Sequence, residues 1–154
     1  MRTRMIVLAF AVSMVGAAAA FTASAHMGTW KLNEATSRID PGATKNTTLV
    51  YTSAGDNVKI TVDGLDGAGK PLHTEWTGKL DGKPYPVTGN QAADTRAYTK
   101  VNNRTLSFVE KKGPAVTNSG RAVVSADGKR RTVTATATDS TGKKLNTRAV
   151  YDKQ

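Results

Sequence analysis

Few residues in this chain of 154 have the type and spacing that chemistry needs. His73 and Glu75 stand two apart, which puts both on one face of a strand and could serve a metal or a proton relay. A metal site needs three or four ligands, and the only other imidazole, His26, is expected at a frayed chain end. There is no cysteine, no serine in a Gly-x-Ser-x-Gly setting and no glycine-rich phosphate loop. No metal, no cofactor and no catalysis are therefore expected.

A second set suits binding rather than reaction. Trp76, Tyr98 and Phe108 are the large aromatics in the middle of apolar runs. Alternate inward positions of a barrel can line a cavity or simply fill the core, and both readings stay open for these three. Arg121 is the candidate inward cation beside them.

The elements that must position these residues are strands. Val58, Ile60 and Val62 alternate with Lys59, Thr61 and Asp63, and Leu106 and Phe108 alternate with Thr105 and Ser107. From Arg131 to Asp139, Val133, Ala135 and Ala137 share one face while Thr132, Thr134, Thr136 and Thr138 share the other. No stretch after residue 25 keeps an apolar 3.6-residue period for three turns.

Between the runs lie Asp66-Gly67, Asp81-Gly82, Asp127-Gly128 and Thr141-Gly142, with Asn102-Asn103 and Gly113-Pro114. Such pairs suit tight hairpins, so consecutive strands should pair as neighbours. Strands are expected near 27–33, 46–52, 57–63, 71–79, 84–88, 95–101, 104–111, 115–126, 130–139 and 144–152. An antiparallel meander of about ten strands loses its exposed edges by closing on itself, which predicts an all-β, up-and-down barrel. The stretch Glu34–Lys45 should be a loop crossing one barrel end, and Gly89–Asp94 a shorter irregular connection.

The N-terminus reads as an export signal. Arg2 and Arg4 precede an apolar run from Met5 to Val15, then small residues, then Ala23-Ser24-Ala25 as a small-x-small cleavage site. Cleavage after Ala25 would leave residues 26–154 as one periplasmic or secreted domain, with no retained transmembrane segment and a net charge of +8, since the signal carries two of the +10 charges. Lys111-Lys112, Lys129-Arg130-Arg131 and Lys143-Lys144 fall near turns, which would place cationic clusters at the barrel ends. Nucleic acid is not expected as a partner, because export separates the two and no stacking platform is legible. A monomer is expected.

Short patches carry a resemblance. Gly28-Thr29-Trp30-Lys31-Leu32 resembles the opening strand of lipocalins and intracellular fatty-acid-binding proteins, and the segment Thr147 to Lys153 resembles their closing strand. Tyr85-Pro86-Val87-Thr88-Gly89-Asn90, with Asp94-Thr95, resembles a family of exported bacterial lipocalin-like proteins of poorly defined function. The resemblance implies a calycin barrel in which Trp30 closes one end and Arg148 packs across it. Two departures limit it. The Asp40-Pro41-Gly42 stretch is short for a helix-turn-helix lid, and Arg148 and Tyr151 are three apart, which sets them on opposite faces of a regular strand.

Two functions follow as expectations. One is an exported, non-enzymatic barrel holding a small apolar or amphipathic ligand against Trp76, Tyr98, Phe108 and Arg121. The other is a cationic envelope protein that binds anionic polymers or membrane surfaces with nothing inside.

Overall fold

The computed structural model describes residues 24–154, so all but the last two residues of the expected signal lie outside it. Eleven strands run in chain order: β1 (Gly28–Leu32), β2 (Arg38–Ile39), β3 (Lys45–Ala54), β4 (Asn57–Leu65), β5 (Pro71–Gly78), β6 (Tyr85–Thr88), β7 (Thr95–Asn102), β8 (Thr105–Lys112), β9 (Ala115–Val124), β10 (Arg130–Thr138) and β11 (Lys144–Lys153). From β3 to β11 each strand pairs with the next, β1 pairs with β3, and a β1–β11 pairing closes the ring. The result is the expected all-β antiparallel barrel, with ten strands around the circumference. Among the described residues no helix is long and apolar enough to cross a membrane.

The hairpins repeat one local device. The Oδ1 atoms of Asp66, Asp81, Asp127 and Asp139 each accept the backbone N–H two residues on, at 2.8 to 3.0 Å, and Asn90 and Asn102 do the same. A side chain that mimics a turn hydrogen bond reverses the chain without help from distant residues. The turns 66–70, 89–94, 113–114 and 139–143, together with the loop 33–44, therefore gather at one end, the mouth. The N-terminal segment and the remaining hairpins close the other.

One expected loop carries structure. Glu34–Thr36 forms a 3-10 turn, and Arg38–Ile39 then pairs with Arg148 and Thr147 of β11. This two-residue pairing rests on a contact more than a hundred residues away, so no local pattern announces it. The short turn also leaves no helical lid in the described chain.

Strand parity fixes the core. Inward positions carry Trp30, Leu49, Tyr51, Ile60, Val62, Trp76, Tyr98, Leu106, Val124, Ala149 and Tyr151, all buried in one cluster. The closed half is thus filled by side chains. His26 belongs to this packing: it is 1% exposed, and its carbonyl accepts the Trp30 Nε1–H at 2.9 Å. The expectation of a frayed end there is corrected, because Ala25 and Met27 pack against the core and seat the segment under the barrel.

Candidate functional site

The same parity that seats the apolar core brings an unexpected set of polar groups inside. Arg96 shares its face of β7 with Tyr98, and Glu110 shares its face of β8 with Leu106 and Phe108. Their register is direct, Arg96 opposite Glu110. The Arg96 Nε donates to Glu110 Oε1 at 2.6 Å, its second guanidinium nitrogen closes on the same oxygen, and Asn118 Nδ2 donates to Oε2 at 3.0 Å. Burial works against the Arg96 charge, but Tyr98 and Glu110 beside it more than offset this and raise its pKa. The Arg96 carbonyl accepts the Trp76 indole N–H at 2.8 Å.

Nearer the closed end a second guanidinium, Arg131, is 2% exposed. It donates to the Tyr51 hydroxyl, lies 4.3 Å from that ring's centroid, and meets His26 Nδ1 at 3.2 Å. Burial, then the Arg131 charge, pushes the His26 pKa down to about 3, so the imidazole is neutral and its Nδ1 accepts. Burial raises the Tyr98 and Tyr151 phenols, which therefore remain protonated donors. Tyr151 donates to the Asn46 carbonyl at 3.0 Å.

Two spaces adjoin this network. A chamber of 60 Å³, walled by Tyr51, Tyr98, Tyr151, Arg96 and Phe108, holds no more than a few water-sized groups. Above it a cavity of 390 Å³ opens at the mouth, and Glu110 and Asn118 line both. Leu72, Ala137 and Leu145 give the mouth cavity an apolar wall, while Asp66 and Lys70 stand at its rim. Asn118 Oδ1 is inaccessible to solvent and has no hydrogen-bond partner. The mouth can take a small molecule whose apolar body lies on the wall and whose polar end meets the Glu110 and Asn118 floor.

The residues expected at a site fare unequally. Trp76, Tyr98 and Phe108 do come together, Trp76 edge-on to Tyr98 at 4.9 Å and Tyr98 at 5.9 Å from Phe108. Trp76 and Tyr98 are nearly fully buried in the core, and Tyr98 and Phe108 reach the small chamber. Arg121 is corrected: Ala122 and Val124 occupy the inward positions of β9, so Arg121 stands exposed outside. Trp30 is fully buried in the core, but the expected packing of Arg148 across it is corrected. Arg148 sits on the outer face beside Thr134 and donates to the Thr36 carbonyl at 3.2 Å, while the cation over Trp30 is Lys153, at 5.2 Å. Tyr151 points inward, so the two residues do take opposite faces.

His73 lies on the outer face, 2.6 Å from Asp63 through Nδ1 and 3.5 Å from Glu75 through Nε2. Among the described residues no group of three or more His, Cys, Asp or Glu side chains could hold a metal. The inward polar residues Arg96, Glu110, Asn118, Tyr51 and Arg131 were missed, although their signal was present. Arg96 is in phase with Tyr98, Glu110 with Leu106 and Phe108, and Arg131 with Val133.

No family model matches the chain, and no curated protein matches it. Among solved structures it is similar to a redesigned beta barrel, b11L5F_LGL, at 12% identity and a TM-score of 0.44, covering 85% of this chain and 93% of that one. It is also similar to a redesigned beta barrel, mFAP1, bound to DFHBI, at 15% identity and a TM-score of 0.47, covering 84% of this chain and 98% of that one. The likeness is one of barrel architecture.

Proposed function

We propose that this is an exported, non-enzymatic binding protein that holds a small amphipathic molecule in the mouth of its barrel. The observation that carries the reading is the 390 Å³ mouth cavity, in which the apolar wall of Leu72, Ala137 and Leu145 stands over a polar floor of Glu110 and Asn118. A polar floor under an apolar wall suits an apolar body that carries an amide, alcohol or amine donor. The filled closed half argues against a long apolar chain lying along the barrel axis. Export rests on the signal-like N-terminus alone, and the absence of catalysis on the dearth of candidate groups.

The test is calorimetric titration with matched pairs of small molecules, each pair differing only in whether a donor group or a methyl is present. The donor-bearing member should bind, and Ala137→Phe, which fills the mouth, should abolish it. Binding that survives in Ala137→Phe, or that is indifferent to the donor, would overturn the reading. Cell fractionation with N-terminal sequencing tests export, which requires a processed protein beginning at His26.

A further inference from the structure

We propose that the outer face formed by β9, β10, β11 and β2 binds a linear anionic polysaccharide through its sulfate or phosphate esters. This site is separate from the mouth cavity. The face is marked first by where arginine goes. Of the seven arginines among the described residues, Arg96 and Arg131 point inward, and Arg38, Arg121, Arg130 and Arg148 lie on this face, leaving only Arg104 elsewhere. The exposed lysines are spread more widely, with Lys31, Lys100 and Lys111 on β1, β7 and β8, while Lys144 joins this face on β11. Guanidinium groups pair with two oxygens of a sulfate or phosphate at once, which an ammonium cannot do.

Register then places three of them in one row. Arg38 is opposite Arg148, Arg148 is opposite Thr134, and Thr134 is opposite Arg121. With neighbouring strands about 4.8 Å apart, Arg148 lies about 5 Å from Arg38 and about 10 Å from Arg121 along the row. Like charges directly opposite on neighbouring strands are destabilising. No carboxylate offsets this: among the described residues Arg38, Arg121 and Arg148 form no ion pair, and Arg148 has the neutral Thr36 carbonyl as its acceptor. The acids bordering the face are engaged: Asp152 pairs with Arg130 at 3.6 Å, and Asp40 accepts the Asn146 N–H at 2.7 Å. A row of unpaired arginines is costly for the free protein and is relieved by a multivalent anion.

The surface between the charges selects the kind of anion. A trough of 410 Å³ beside Arg121 and Arg130 is lined by Thr132, Thr134, Ser125 and Val123. Hydroxyls and one apolar side chain suit the polar edge and apolar face of a sugar. No aromatic stands on this face to stack a base, which disfavours nucleic acid. Of the exposed large hydrophobics Val116 and Val123 lie on β9, near its opposite ends, so the face has no contiguous apolar group of residues to enter a bilayer. The cations thus run along the side of the barrel. Of the clusters expected at the barrel ends, Lys111, Lys129, Lys143 and Lys144 are exposed at or beside turns, whereas Arg131 is internal and Lys112 is tied to Asp94 at 2.7 Å.

The test uses heparin as the sulfated probe at low salt, with phosphatidylglycerol vesicles and a single-stranded DNA oligonucleotide as comparison ligands. Arg38→Ser/Arg121→Ser/Arg148→Ser should weaken heparin binding about tenfold or more, whereas Lys79→Ser/Lys83→Ser/Lys100→Ser, which removes equal charge elsewhere, should cost less than about twofold. Arg38→Lys/Arg121→Lys/Arg148→Lys should fall between the two, and Ala137→Phe should leave heparin binding intact. Equal losses in the arginine and lysine variants would reduce the effect to net charge and overturn the proposal. Tighter binding to the vesicles or the oligonucleotide than to heparin would overturn it as well.

Discussion

Arg96 and Glu110 face each other across neighbouring strands and form an ion pair inside the barrel, with both side chains shielded from water. Asn118 donates to the free oxygen of the Glu110 carboxylate, and the Trp76 indole anchors the β7 backbone at Arg96. Breaking a buried pair by removing one partner leaves a charge uncompensated, whereas removing both does not. Arg96→Leu should therefore destabilise the fold by about 3–5 kcal/mol, and Arg96→Leu/Glu110→Leu by clearly less, as read from urea unfolding. A double variant as unstable as the sum of the singles would refute a coupled pair.

His26 provides a pH signature. Its folded pKa is about 3 against 6.5 when unfolded, so the unfolded chain binds the extra proton between those values. The contribution is complete above pH 6.5 and is lost as pH falls toward 3. The size is on the order of a few kcal/mol. His26→Gln retains an acceptor for Arg131 and should flatten the fall in unfolding midpoint between pH 6.5 and the onset of carboxylate titration. The lowered carboxyls of Asp81, Asp94, Asp127 and Asp139 act in a separate window, since their contributions fade only as pH drops below their ordinary value of 3.8. An unchanged slope in His26→Gln would count against a buried neutral imidazole.

His73 shifts in the opposite sense. The hydrogen bond to Asp63, then that to Glu75, raises its pKa above 6.5. Any stability it adds is present below the unfolded pKa and is lost as pH rises through the folded one. Proton NMR should show His73 titrating above 6.5 in the wild type, and Asp63→Asn should bring it back toward that value. A resonance that ignores the substitution would place the cause elsewhere.

Gly89 ends β6 at the mouth with φ +76°, and a Cβ there would stand 2.0 Å from the His73 carbonyl oxygen. Gly89→Ala therefore combines left-handed strain with a backbone collision and should cost on the order of 1–3 kcal/mol. Because Gly89 and His73 both line the mouth cavity, the same change should weaken any ligand bound there. An alanine variant with wild-type stability and binding would show that this corner yields freely.

The strands could be read from the sequence because their signals are local. Alternation over a few residues sets a strand such as Asn57–Leu65, and a single Asp side chain sets the turn that follows it. The interior site is less legible because residue type alone does not tell which way a charged side chain points. Arg121 is expected inward but stands outside, while Arg131, expected in a cationic cluster at a barrel end, is buried, as are Arg96 and Glu110, which no motif singles out. What decides each case is the phase of the strand, which a single charged residue does not reveal. The pairing of β2 with β11 and the seating of His26 under the barrel depend on contacts remote in the chain, where local patterns carry no information.

The β1–β11 pairing also sets the order in which the molecule can be assembled. Every other strand pair around the ring joins neighbours in the chain, with the short β2 alone intervening between β1 and β3, whereas this seam joins the first strand to the last. Loop closure over such a span comes late, because the entropy of a long loop must be overcome before its contacts form. Until then both flanking strands offer unpaired backbone to other chains. The Gln154 N–H donates to the Thr29 carbonyl at 3.0 Å, so the two ends finish side by side. Linking them there and opening the chain at the 113–114 turn would make the β1–β11 seam a hairpin and hand the late closure to β8 and β9, so the pair left exposed longest is chosen by where the ring is cut.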